Sequence, residues 1–350
     1  MARTARSDVF DPLEIAIAHV IQRCVRRCLL MGNDPVSGKN FDHRKQWLED
    51  RLRHFAACFG IDLLTFCILS NHFHLVLRSR PDVVATWDDT EVARRWRMIC
   101  PLRKDAQGNP REPTEAELNA IRNNPKRLAA IRRRLSDISW WMRLLSQPLA
   151  AMANREEDQT GHFWQGRFRA VRICDEASLL ACAAYVDLNP IRAALAETLE
   201  TSDYTSVQRR IEGLMQSATS GEPTADAFLA PIEIDERRDP LGAAASSSAY
   251  RASDKGFLPI SQLEYFQLLD WTARMVVPGK SGTTPADAPD VLQRLGLNEP
   301  EWIGLVRDFG RLFSLAAGLP ETLAQQRTRV TQRRFHTRRG FRELFASKAA

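Results

Sequence analysis

Two histidines one residue apart, in Asn71-His72-Phe73-His74-Leu75-Val76-Leu77, are the sharpest chemical feature of this 350-residue chain. On a β-strand the side chains alternate, so His72 and His74 leave one face about 7 Å apart along the strand while Phe73 and Leu75 enter the opposite layer. Two imidazoles held this way can converge on one metal ion. With seven histidines in the chain, an accidental pair is the competing reading. A second feature is Tyr185, late in a helix that the pattern predicts from Asp175 as N-cap to Pro190, with Asn189 one turn further on. A phenol followed by an amide at i+4 sets a nucleophile beside an oxygen ligand. A packed tyrosine and a helix stop is the plainer alternative, and Pro190 biases Asn189 away from helical dihedrals. Third, in Gly161-His162-Phe163-Trp164-Gln165-Gly166-Arg167-Phe168-Arg169, two glycines flank an aromatic turn and Arg167 and Arg169 fall on one face of the strand that follows. Gln165, Arg167 and Arg169 are candidates for backbone or base contact with a nucleic acid, against a plain surface hairpin. Other templates fail: Gly279-Lys280-Ser281 lacks the upstream glycine of a P-loop, where Arg274 stands, and there is no H-E-x-x-H or G-x-S-x-G.

Elements that could position these groups are legible in the periodicity. The β-branched run from Ile15 to Val25 predicts a first strand, followed by a loop through Gly32-Asn33-Asp34-Pro35. Phe41, Leu48, Leu52, Phe55 and Phe59 recur at helical spacing, with Asp42 as cap and Gly60 as stop. Ile61 to Leu69 and His72 to Leu77, separated by Ser70-Asn71, predict an antiparallel hairpin. Thr86 to Leu135 is polar and broken by prolines, as suits an excursion of short helices outside the sheet; a helix over Leu135 to Met152 and a turn and strand over Gly161 to Ile173 follow. The expected division is a domain over 1–215 with a helical insertion at 86–135, a linker over 216–255 rich in small polar residues, and a helical region over 256–350. That last region carries Leu263, Phe266, Leu269, Trp302, Leu305, Phe309 and Leu312 at helical spacing and a basic end with Arg333, Arg334, Arg338, Arg339 and Arg342.

Composition narrows the class. Hydrophobic residues at 44% and charged residues at 26% are those of a globular protein, and no apolar run is long enough for a membrane span. The absence of a signal-like start, and seven scattered cysteines with no C-x-x-C pair, predict free thiols in the cytoplasm. The net charge of +6 is modest, but residues 91–172 hold 17 basic against 9 acidic side chains, interleaved with Trp140, Trp141, Phe163, Trp164 and Phe168. Guanidinium groups hold phosphates and rings stack on bases, so this mixture points to nucleic acid.

Four stretches, in order, resemble the HUH single-strand DNA transposases, most closely the REP-associated tyrosine transposases: His19-Val20-Ile21-Gln22-Arg23; Ser70-Asn71-His72-Phe73-His74-Leu75-Val76-Leu77; Phe163-Trp164-Gln165-Gly166-Arg167-Phe168; and Tyr185-Val186-Asp187-Leu188-Asn189-Pro190-Ile191-Arg192-Ala193. The resemblance spans about residues 10–215. It implies an α+β fold with a ferredoxin-like antiparallel sheet and helices on one face. It also implies Mg²⁺ or Mn²⁺ held by His72, His74 and Asn189, and Tyr185 as the nucleophile that forms a 5′-phosphotyrosine link with single-stranded or hairpin DNA. Arg23 joins Gln165, Arg167 and Arg169 as an expected DNA contact. The competing expectation is a hairpin-binding protein that kept the fold and lost the chemistry. This chain departs from the family pattern at Leu69-Ser70, where Met-Pro is usual, and in the length of its 86–135 insertion.

Overall fold

A computed structural model describes residues 13–25, 31–34, 38–216, 223–235, 237, 242–277, 289–329 and 337–346. Cys28, Arg333 and Arg334 lie outside them. β1 (Ile17–Arg23), α1 (His43–Cys58), β2 (Ile61–Ile68) and β3 (His72–Ser79) come first. Next are α2 (Pro81–Thr86), α3 (Asp89–Ile99), α4 (Glu115–Arg122), α5 (Pro125–Arg134), α6 (Ile138–Glu156) and β4 (Arg169–Ile173). α7 (Glu176–Asp187), α8 (Asn189–Arg192), α9 (Ser206–Gln216), α10 (Gln262–Val276), α11 (Asp290–Arg294) and α12 (Glu299–Leu312) precede β5 (Ala316–Ala317), α13 (Pro320–Arg329) and α14 (Arg339–Leu344).

The fold is mixed α+β, with one sheet in the order β2-β3-β1-β4-β5. The first three pairings are antiparallel, and β5 joins β4 in parallel. Strand alternation sorts the side chains. Ala18, Val20, Phe73, Leu75 and Leu77 enter a core under α1 and α6, where Trp141 meets the rings of Phe55 and Phe59 at 5.3 and 5.2 Å. Val76, Val171 and Ile173 enter a second core on the opposite face, under α7, α10 and α12. Helices therefore cover both faces, which corrects the expectation of one. The reason is α7: all its residues except Glu176 and Tyr185 are buried, and a helix apolar all round needs cover on every side.

The 86–135 stretch forms α3, α4 and α5, each opened by a side-chain cap from Asp88, Thr114 or Asn124. The segment expected to be a linker is packed where it is described. Phe228, Leu229, Ala230 and Ile232 are buried, and the Ser253 hydroxyl lies 2.8 and 2.9 Å from the carboxylate oxygens of the buried Asp62. Arg78 ion-pairs with Asp62 at 2.8 Å and donates to the Gly256 carbonyl at 2.8 Å. A Cβ on Gly256 would stand 1.9 Å from the Glu233 carbonyl oxygen, so only glycine permits this approach. Small polar residues here satisfy buried arginines instead of spanning solvent.

Candidate active site

Register decides which side chains meet. Ile21 of β1 lies opposite both His74 and Arg169, and Arg23 lies opposite His72. His72, His74, Arg23, Arg169 and His19 consequently share the face that α7 covers, at the end where β1, β3 and β4 open into a cleft. That cleft, of about 860 Å³, is lined by Arg23, His72, His74, Gln165, Arg167, Arg169, Tyr185 and Arg192, and from α12 by Arg307, Asp308, Gly310 and Arg311.

The predicted pair stands as the alternation requires, with the His72 and His74 ring centroids 4.9 Å apart. Tyr185 reaches His74 from α7, the two rings 5.5 Å apart. Arg192, one turn beyond α7, sets its guanidinium 4.8 Å over the Tyr185 ring. Asn189 is buried nearby in sequence; against the pre-proline expectation it opens the helical turn of α8, and its amide nitrogen has no hydrogen-bond partner.

A third histidine completes the cluster. His19 Nε2 and His74 Nδ1 lie 2.9 Å apart in a buried hydrogen bond, and the rings stack at 5.1 Å. Burial, with the charge of Arg169, lowers His19 to about 3; burial, with Arg23, lowers His72 to about 4. His74 is held well below the ordinary imidazole range by burial and by its histidine and arginine neighbours. All three rings are thus neutral near pH 7, and His74 Nε2 is buried without a partner. Neutral imidazoles with an uncommitted ring nitrogen fit a divalent ion. Among the described residues no group of three or more His, Cys, Asp or Glu stands together for that purpose, so an ion here would have to rely on His72, His74 and oxygen donors, and the expected third ligand, Asn189, is not among the residues that line the cleft.

The expected DNA contacts divide. Arg23, Gln165 and Arg167 are exposed along the cleft, and the backbone N–H of Gln165 donates to the Arg23 carbonyl at 2.9 Å. The buried Gln22 donates to the Gly166 carbonyl at 3.0 Å and pins this turn to β1. Arg167 precedes β4 instead of lying in it, and Arg169, the first residue of β4, is turned to α12, donating to the carbonyls of Gly310, at 3.0 Å, and Phe313. His19 and Gln22 stand in the first of the four motif stretches, but nothing in their local spacing assigns them a role. Only the sheet order places β1 between β3 and β4, and no local signal carries that order.

No family model matches the chain, and no curated protein matches it. Among solved structures, that of a REP-associated tyrosine transposase bound to a REP hairpin is similar over 59% of this chain and 86% of its own, at 10% identity and a TM-score of 0.33. A likeness at that level establishes neither fold nor function for this chain. No helix among the described residues is long and apolar enough to cross a membrane.

Proposed function

We propose that the protein is a metal-dependent transposase or endonuclease acting on single-stranded DNA at hairpin elements, with Tyr185 as nucleophile. One observation carries this: Tyr185 stands 5.5 Å from His74, in the arginine-lined cleft that His72 also lines. The antiparallel order β2-β3-β1-β4, with α1 and α6 on one face, supports a ferredoxin-like reading of the scaffold.

The chemistry follows from the residues. Arg23 and Arg167 attract and orient the phosphates of a single strand. Attack by the Tyr185 oxygen forms a P–O bond to the phenol and breaks the bond to the 3′ oxygen. The result is a 5′-phosphotyrosine link and a free 3′ hydroxyl, the phenolic proton passing in net to the 3′ oxygen. A phenol with pKa near 10 is a poor nucleophile at neutral pH, so the reaction needs charge stabilisation at phosphorus. Mg²⁺ or Mn²⁺ held by His72 and His74, with Asn189 as the third ligand that the resemblance implies, would supply it by polarising the phosphate. His74 keeps its Nε2 lone pair for such an ion only in the tautomer whose Nδ1–H donates to His19. The phosphotyrosine link conserves bond energy, so rejoining the strand requires no nucleotide cofactor.

The test is incubation of the full chain with a labelled single-stranded hairpin library and Mn²⁺. Cleavage that disappears in excess chelator and in His72→Ala and His74→Ala is expected. Binding without cleavage under every metal condition would instead mark a protein that holds hairpin DNA and has lost the chemistry.

A further inference from the structure

The cleft has a wall from α12, in a region to which neither motif nor composition assigns a role. Leu305, Phe309 and Leu312 are buried beneath this helix, and the Phe309 ring lies 5.8 Å from Tyr185 and 5.7 Å from His19. Its backbone is held by Arg169 at Gly310 and Phe313, by Arg192 at Arg307, and by Arg338 at Arg311. At Gly310 the helix comes so close that a Cβ would stand 2.9 Å from the Tyr185 hydroxyl oxygen. The helix is thus seated in a fixed relation to the proposed nucleophile.

Arg307 and Arg311, one turn apart, line the same cleft as Tyr185, and their side chains are 60% and 90% exposed. Asp308 stands beside both, at 2.9 Å from Arg307 and 3.8 Å from Arg311. Pairs this exposed are weak, so exchanging the carboxylate for a phosphate sacrifices little. We propose that α12 is a nucleic-acid-binding element: Arg307 and Arg311 contact phosphates of the strand that lies against Tyr185, and Asp308 moderates their hold. This rests on the single-stranded DNA reading above and adds a part of the chain that the family resemblance does not cover.

The experiment is fluorescence anisotropy of a single-stranded hairpin oligonucleotide with the full chain, in chelator and over a series of salt concentrations. Arg307→Ala/Arg311→Ala should reduce the salt slope by about 1.4, from about 0.7 per lost single-strand contact, which is roughly 25-fold in affinity at 0.1 M salt relative to 1 M. Asp308→Asn should move affinity the other way. Arg23→Ala/Arg167→Ala, on the opposite wall, is the control. A folded α12 double variant with unchanged slope and affinity, beside a weakened control, overturns the proposal alone. Weaker binding in Asp308→Asn also contradicts it. If neither double variant changes binding, the DNA reading itself falls and this inference with it. Melting temperatures verify that each variant is folded.

Discussion

His74 has one ring nitrogen on His19 and the other without a partner, so the residue that orients this proposed ligand is as consequential as the ligand. Replacing His19 with Phe keeps a stacked ring but removes the hydrogen bond. In a Tyr185→Phe background saturated with hairpin, where no cleavage is expected, titration calorimetry should show Mn²⁺ affinity falling about 10–100-fold, the usual consequence of losing the hydrogen-bond partner of a metal ligand. His19→Gln, which restores a polar atom near Nε2, should recover part of it; equal affinity in all three proteins would deny His19 any such role. His72, His74 and Tyr185 were legible as candidates because period two on a strand and i+4 on a helix are local properties. The contact between His19 and His74 joins two strands 55 residues apart in sequence and depends on a register that the sequence does not spell out. Arg169 shows the opposite failure. Its spacing from Arg167 suggested a shared outward face, yet its guanidinium caps the carbonyls of α12.

At the scale of elements, that guanidinium becomes a prediction about docking. Arg169→Ala leaves the Gly310 and Phe313 carbonyls without a donor, at a cost of about 1–3 kcal/mol of stability. Denaturant unfolding should report that loss, together with faster hydrogen exchange in α12. Unchanged stability would mean that α12 is held by its apolar face alone. Gly256→Ala meets backbone rather than a movable side chain and should cost about 3 kcal/mol by the same measurement, since neither the 256 nor the 233 segment can retreat without breaking hydrogen bonds. Helices whose apolar residues recur at helical spacing, such as α1 with Leu48, Leu52 and Phe55, are readable from the sequence. The packed course of 242–256 is not, because Ala, Ser and Gly are also what a linker contains. Their place is fixed by what they satisfy, Asp62, Arg78 and Arg80, whose burial no local pattern announces.

Two cores on opposite faces of one sheet leave a cationic cleft where β1, β3, β4, α7 and α12 meet, with Asp308 the one carboxylate among the described residues of its lining. Such a site repels a free cation and welcomes one that arrives with phosphate, so metal and DNA should bind with positive coupling. Hairpin DNA is expected to tighten Mn²⁺ binding to Tyr185→Phe, and Mn²⁺ to tighten hairpin binding by the same factor; independent affinities would contradict a shared site. If Tyr185 is the nucleophile, it becomes covalently linked to DNA. The most direct test is mass spectrometry of the protein after incubation with a single-stranded hairpin and Mn²⁺, followed by denaturation, nuclease trimming and digestion to peptides. A nucleotide phosphate is expected on the peptide that contains Tyr185, with no adduct in Tyr185→Phe despite retained DNA binding. An adduct on another residue, or one of equal yield in Tyr185→Phe, would contradict that role.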